Sequence, residues 1–204
     1  MFADYNYVNH VAPATAQILI TIIEKLGIEI DKEIGTCICA GIITDTGGFQ
    51  YANVTAETFE FAALLLSKGI NVSDLYKKVF STSTRANFEL TKLAMDRTEF
   101  IEDGKLAFTY ITSEDEEKVK AETGDHEAIV NFGRNVEGVE VSVFLRETEK
   151  GYKASLRSNE YVNVSDVCVL LGGGGHIRAA GCTLDMPLEQ AKEKVLGVVK
   201  KYLK

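Results

Sequence analysis

The chain has 204 residues, 46% of them hydrophobic, and a formal net charge of −8 from 22 Lys and Arg against 30 Asp and Glu. That length and apolar fraction suit one compact domain or two small ones and exclude a disordered chain. The acidic balance excludes a histone-like polyanion binder, yet leaves room for a small cleft where a few basic groups hold a phosphate.

The first clear element is a helix in which Ile18, Leu19, Ile22, Ile23 and Leu26 recur at helical spacing, with Gly27 as its C′ stop. The apolar stretch Ile34–Ile43 follows; its period does not separate a buried helix from a buried strand, and it is read as a helix. Thr55 caps a further helix whose predicted apolar face is Phe59, Ala62, Ala63 and Leu66, ended by Gly69. Residues 72–98 read as helical, with Leu75, Val79, Phe88, Leu93 and Met95 as apolar members.

Near residue 99 the pattern changes. Leu106, Phe108 and Tyr110 alternate as in a strand, and Ser113 with Glu116 forms a capping-box signature for a short helix. Val141/Val143/Leu145 and Tyr152/Ala154/Leu156 alternate with period two, and the polar loop 147–151 makes them a hairpin. If Tyr152, Ala154 and Leu156 face a core, Lys153, Ser155 and Arg157 leave the strand together on its other side. A last helix follows Pro187, with Val195, Val198, Val199 and Tyr202 on one face. No apolar run approaches the about 18 residues of a membrane span. Met1-Phe2-Ala3-Asp4 has neither the basic nor the apolar region of a signal peptide.

The sharpest motif is Gly172-Gly173-Gly174-Gly175-His176-Ile177-Arg178-Ala179-Ala180-Gly181. Leading into a helix start or a nest, such glycines would converge backbone N–H groups on an anion, with His176 and Arg178 at the rim. The plain alternative is a flexible loop. The run is not a P-loop, for it lacks the Gly-Lys-Ser/Thr ending, and no βαβ unit frames it as a dinucleotide fingerprint. Arg157 in Ser155-Leu156-Arg157-Ser158 can present a fork of donors to a phosphate, or be a solvated strand charge; Arg134 is a third candidate on the same grounds. Asp45, in Thr44-Asp45-Thr46-Gly47-Gly48-Phe49, is a metal ligand or a turn-former, and one carboxylate cannot build a metal site. His10 and His126 have no His or Cys at ligand spacing. Four cysteines (Cys37, Cys39, Cys168, Cys182) without a CxxC pair point to reduced thiols and a cytoplasmic location, with Cys37-x-Cys39 read as core packing.

The glycine–His176-x-Arg178-Ala-Ala-Gly181 motif, with Ser-Leu-Arg157-Ser158 upstream, resembles the DHH-associated domain of the DHH-family phosphoesterases. Within that family the likeness is to the bacterial branch that joins oligoribonuclease with phosphoadenosine phosphate (pAp) phosphatase activity. Glu122-Thr123-Gly124-Asp125 through Val139-Glu140-Val141, Phe2-Ala3-Asp4-Tyr5-Asn6 and Gly41–Gly47 extend the likeness over essentially the whole chain.

The resemblance implies an α/β protein: a mainly helical remnant of a DHH lobe over residues 1–80, a linker helix over 81–98, and an α+β DHH-associated domain with a mixed sheet over 99–204. It implies two-metal hydrolysis, usually with manganese, of short oligoribonucleotides from the 3′ end and of pAp. Carried over by position, Asp45 is the last metal ligand and a catalytic residue. Arg134, Arg157, Ser158, Gly173, Gly174, Gly175, His176 and Arg178 hold the substrate. The family's His-x-x-x-Asp-x-Asp motif, its next Asp and its Asp-His-His triplet are absent. The chain is therefore either a C-terminal portion of a longer enzyme or a natural chain that has lost catalysis. Alone it is expected to be inactive, to hold no stable pair of manganese ions, and to keep the binding of nucleotide phosphates or short single-stranded RNA. A recognition module without catalysis and a cyclic dinucleotide phosphodiesterase are the alternatives; no membrane partner is expected, and a homodimer is left open.

Overall fold

The computed structural model describes residues 4–122, 124–126 and 129–204, in two compact units that meet between Thr82 and Ser83. The first unit is helical: α1 (Thr15–Lys25), α2 (Lys32–Asp45), α3 (Ala56–Ser67) and α4 (Val72–Phe80). Ile20, Ile38, Cys39, Ile42, Ile43, Leu65 and Ile70 form its core. Gly27 stands just past α1 at φ 68°, the left-handed stop that its position predicts. Ile34–Ile43 is helical, capped by Asp31, whose carboxylate accepts from the Ile34 amide at 2.8 Å.

α3 begins at Thr55 as expected, but its predicted face is rotated. Phe59 and Leu66 are exposed, while Thr58 and Leu65 are buried. Polar contacts to α1 set the rotation: Thr58 donates to Gln17 at 3.0 Å, and Gln17 donates to Glu57 at 2.9 Å. The helical stretch 72–98 is also interrupted. Ser81, Thr82, Ser83 and Thr84 separate α4 from α5 (Arg85–Asp96), because hydroxyls compete for backbone partners. The Thr82 hydroxyl donates to the Lys77 carbonyl and Thr84 accepts from the Asn87 amide as the α5 cap. Phe88 and Met95 are exposed, and Leu90, Thr91 and Ala94 face inward instead.

The second unit holds a six-stranded mixed sheet in the order β1-β2-β3-β4-β6-β5. Its strands are β1 (Glu99–Ile101), β2 (Leu106–Ile111), β3 (Val141–Thr148), β4 (Gly151–Ser158), β5 (Gly174–His176) and β6 (Ala179–Leu184). β2 and β3 are parallel and the other neighbours antiparallel. The predicted hairpin is present with a shorter turn, Glu149-Lys150. Between β2 and β3 run α6 (Ser113–Val119) and α7 (Ile129–Arg134). The α6 cap is Thr112 with Asp115, one residue earlier than the Ser113/Glu116 signature, because the Thr112 hydroxyl and the Asp115 carboxylate serve each other's amides.

α8 (Val164–Leu170) and α9 (Leu188–Val199) cover one face of the sheet around Phe108, Val143, Leu156, Val167 and Val195. The expected linker helix, residues 81–98, falls as α5 inside this unit, packed on β2, α6 and α7. α5 and α7 cover the other face over β2 and β3, around Leu90, Ala94, Ile129, Val130 and Phe144. α7 reaches β4, and beyond it Lys153, Thr183 and His176 are exposed.

Candidate nucleotide-binding face

The alternation read from the sequence holds along β4. Tyr152, Ala154 and Leu156 are buried beneath α8 and α9, which leaves Lys153, Ser155 and Arg157 on the opposite face. In register, Arg157 pairs with Ala179 of β6, and Ala179 pairs with His176 of β5. Directly paired residues share a face, so Arg157 and His176 flank Ala179 about 10 Å apart, two strand spacings. One row along, Ser155 pairs with Gly181 and Gly181 with Gly174. The floor between the two basic residues is therefore made of Gly, Ala and Ser. Arg134 stands at the end of α7, after Gly133, where an added Cβ would meet the Ser142 hydroxyl at 2.6 Å. Ser142 is the β3 partner of Arg157, so α7 runs directly on the sheet and brings Arg134 to the border of this face.

The other candidates have different places. Ser158 points away from Arg157: it is 2% exposed, and its hydroxyl donates to the Val162 carbonyl at 2.7 Å. Arg178, in the β5–β6 turn, donates to Val162 O at 2.8 Å, to Ser158 Oγ at 3.4 Å and to the Glu160 carbonyl. Both residues brace the loop 158–163 rather than opening onto the Arg157 face.

A third residue completes this brace, and sequence reasoning gave it no role. Glu140 is 5% exposed, and its carboxylate accepts from the amides of Glu160, Tyr161 and Val162 at 2.9, 2.8 and 2.7 Å. The side-chain amide of Asn159 donates to Arg134 O at 2.9 Å and Val139 O at 2.8 Å, tying the end of α7 to the same loop. The signal was a single acid between Val139 and Val141, in a run that has to be buried.

The glycine run is neither a nest nor a helix start. Gly172, at φ 83°, and Gly173 end α8: their amides donate to Val169 O at 3.1 Å and Cys168 O at 2.8 Å, a Schellman closure. Gly174 and Gly175 then enter the edge strand β5. An added Cβ on Gly173 would lie 2.2 Å from Gly181 O, and one on Gly175 2.6 Å from Ala179 O, so close approach of the chains demands glycine there. The Gly175 carbonyl accepts from the Ser165 hydroxyl of α8 at 2.9 Å.

Asp45 is the last residue of α2, in the first unit, and is exposed. Among the described residues no group of three or more His, Cys, Asp or Glu could hold a metal ion. This donor set does not fit a two-metal centre. Cys39 is buried in the first core, as expected, but Cys37 is exposed. In the family-like segment 122–125, Asp125 accepts from the Thr84 hydroxyl at 2.6 Å and the Glu122 amide at 2.8 Å, anchoring the start of α5. Thr123, and Phe2 and Ala3 of the N-terminal motif, lie outside the described residues. A depression of about 510 Å³ lies at the hairpin end of the sheet, between residues 147–152 and 185–188, and includes none of the candidate residues. No helix among the described residues is long and apolar enough to cross a membrane.

Comparison with known proteins matches residues 103–204 to the DHHA1 domain family. The bifunctional oligoribonuclease and PAP phosphatase NrnA of Thermus thermophilus is 38% identical over 203 residues, 99% of this chain and 61% of that protein. The protein of the same name from Bacillus subtilis is 25% identical over 158 residues, 78% of this chain and 50% of that protein. A solved structure of an exopolyphosphatase-related protein from Bacteroides fragilis superposes with a TM-score of 0.92 at 30% identity, covering 98% of this chain and 60% of that one. The chain thus spans half to about three fifths of the length of these relatives. With the DHHA1 domain matched over half its residues, and an NrnA relative aligned along nearly all of it, this chain belongs to the DHH family of phosphoesterases, in the group that carries a DHHA1 domain.

Proposed function

We propose that this chain is the substrate-recognition portion of a cytoplasmic phosphodiesterase that acts 3′ to 5′ on short oligoribonucleotides and on pAp. Two-metal hydrolysis, with manganese as the expected ion, is the chemistry of the intact enzyme. Asp45 is the one family metal ligand this chain contributes to it, and the chain alone binds without cleaving. The observation that carries the reading is the register Arg157–Ala179–His176, which puts half-buried Arg157 and exposed His176 on the same sheet face.

The chemistry follows from those groups. Arg157, whose Nη1 also donates to the Leu156 carbonyl at 3.0 Å, brings a guanidinium to a terminal phosphate, and bonds to a charged acceptor are the strong ones. His176 adds a second donor across a floor without bulky side chains, so a sugar and base can lie close to the sheet. Arg134 adds charge at the α7 border. Ser158, Arg178 and Glu140 are positioning residues: they fix the loop that follows Arg157. A few fixed donors recognise a chain end and favour short ligands, which suits a protein of net charge −8 better than a long basic groove would.

Isothermal titration of 5′-phosphorylated diadenylate in EDTA and again in manganese tests this reading, with a cyclic dinucleotide as competitor. Equal affinity in both buffers, intact recovered ligand and weak competition are expected. Absence of binding, or manganese-dependent cleavage lost in Asp45→Ala, overturns it.

A further inference from the structure

Lys153 lies on β4 four residues before Arg157, and the alternation of the strand turns both to the open face. At about 3.3 Å per residue their positions are about 13 Å apart, too far to grip the same phosphate. Ser155 lies midway, and the Ser155–Gly181–Gly174 row keeps the path between them free of large side chains.

The surroundings of Lys153 are unusual for a sheet. Its direct partner on β6 is Thr183, and its direct partner on β3 is Arg146. Like charges placed opposite one another on neighbouring strands repel and weaken the pairing. Arg146 is relieved by Glu116, 3.5 Å away. Lys153 is exposed, and among the described residues it makes no ion pair with an acid, in a chain that has 30 of them. Of these two adjacent cations only Arg146 has a carboxylate beside it, and an anion placed next to Lys153 relieves the repulsion.

We infer that Lys153 holds a second phosphate of the bound strand, at least one nucleotide away from the phosphate at Arg157, so that the open face gauges the length of its ligand. This rests on the proposed reading of the Arg157–His176 face. Ligands that end near Arg157 make one phosphate contact, and ligands that reach Lys153 make two.

The test is titration of 5′-phosphorylated oligoadenylates of one to four nucleotides into the chain and into its Lys153→Gln and Arg157→Gln variants, in EDTA and at two salt concentrations. For the chain, affinity rises about fivefold from the shortest to the longest ligand, the size of a screened charge contact. In Lys153→Gln the ratio of longest to shortest collapses toward one, and the salt slope for the longest ligand falls by about 0.7. Arg157→Gln weakens every length. An unchanged length dependence in Lys153→Gln, or an equal loss at every length, overturns the second contact. A flat length dependence in the unaltered chain, with Arg157→Gln still weakening all ligands, overturns it too and leaves the Arg157 reading standing. No binding at any length overturns both.

Discussion

Arg157 of β4 and His176 of β5 pair in register with the same residue, Ala179 of β6, from its two sides, so both candidate phosphate ligands fall on one face. The pairing depends on β5 lying against β6, which the glycines of the motif permit.

Arg157→Gln lowers affinity for a 5′-phosphorylated dinucleotide by about tenfold or more, the range for a hydrogen bond to a charged group. Arg157→Lys restores only part of the loss, because an ammonium lacks the planar fork. His176→Ala weakens binding by a smaller factor. Titration calorimetry checks all three, and an Arg157→Gln variant that binds as well as the parent contradicts the assignment.

Glu140→Gln puts an amide NH2 where a carboxylate oxygen accepts, so the three amides of residues 160–162 lose an acceptor. Urea unfolding should show a loss of about 2 kcal/mol. Arg178→Met should act on the same loop from the other side. Hydrogen exchange would then rise at residues 160–162 in both variants, together with a moderate loss of dinucleotide affinity, whereas a surface role for Arg178 would leave exchange there unaltered.

The glycines of one motif should respond differently to the same change. Gly173→Ala and Gly175→Ala drive a methyl into backbone atoms of β6, and Gly175 also sits at φ 150°. Both should free the β5 edge and weaken binding at least as much as His176→Ala does. Nothing lies within 4 Å of a Cβ at Gly174, so Gly174→Ala stays folded. Circular dichroism and amide chemical shifts of β6 distinguish the cases.

Burial pushes the Asp115 carboxyl up, but hydrogen bonds from Arg97, at 2.5 and 3.1 Å, and from Thr112 outweigh it and hold the pKa down at about 2. An unfolded Asp titrates near about 3.9. The stabilisation is therefore complete above about pH 4 and is lost as the pH falls toward 2. Asp125 is held low as well, by the Thr84 hydroxyl first and the Glu122 amide second, and acts in the same direction. Asp115→Asn should be less stable at pH 7 and lose less stability between pH 5 and 2, as measured by urea midpoints across that range.

Much of this was legible from residue order. Alternation along Tyr152–Leu156 showed the face that Arg157 occupies, and Val141, Val143 and Leu145 showed the hairpin; that β3 is buried on both faces, with Phe144 under α5 and α7, was not legible. The α3 face was not legible, since Thr58, Phe61 and Leu65 fit a helical stripe as well as Phe59, Ala62 and Leu66. Polar contacts from Gln17, 40 and 41 residues away, decide between them. The break at Ser81–Thr84 was visible only as four consecutive hydroxyl residues. In the motif, residue types did not show which side chains are tied to the chain itself: Ser158 and Arg178 hydrogen-bond to the loop 158–163, and Glu140 accepts from three of its amides.

The most direct test of the Arg157–His176 face is to follow backbone amide shifts of the chain, in EDTA, as 5′-phosphorylated diadenylate is added. The largest shifts should cluster at Arg157, Gly174, His176, Ala179 and Gly181, with smaller ones at Arg134. Shifts confined to the helical unit around Asp45, or to the hairpin end at residues 147–152 and 185–188, would contradict it.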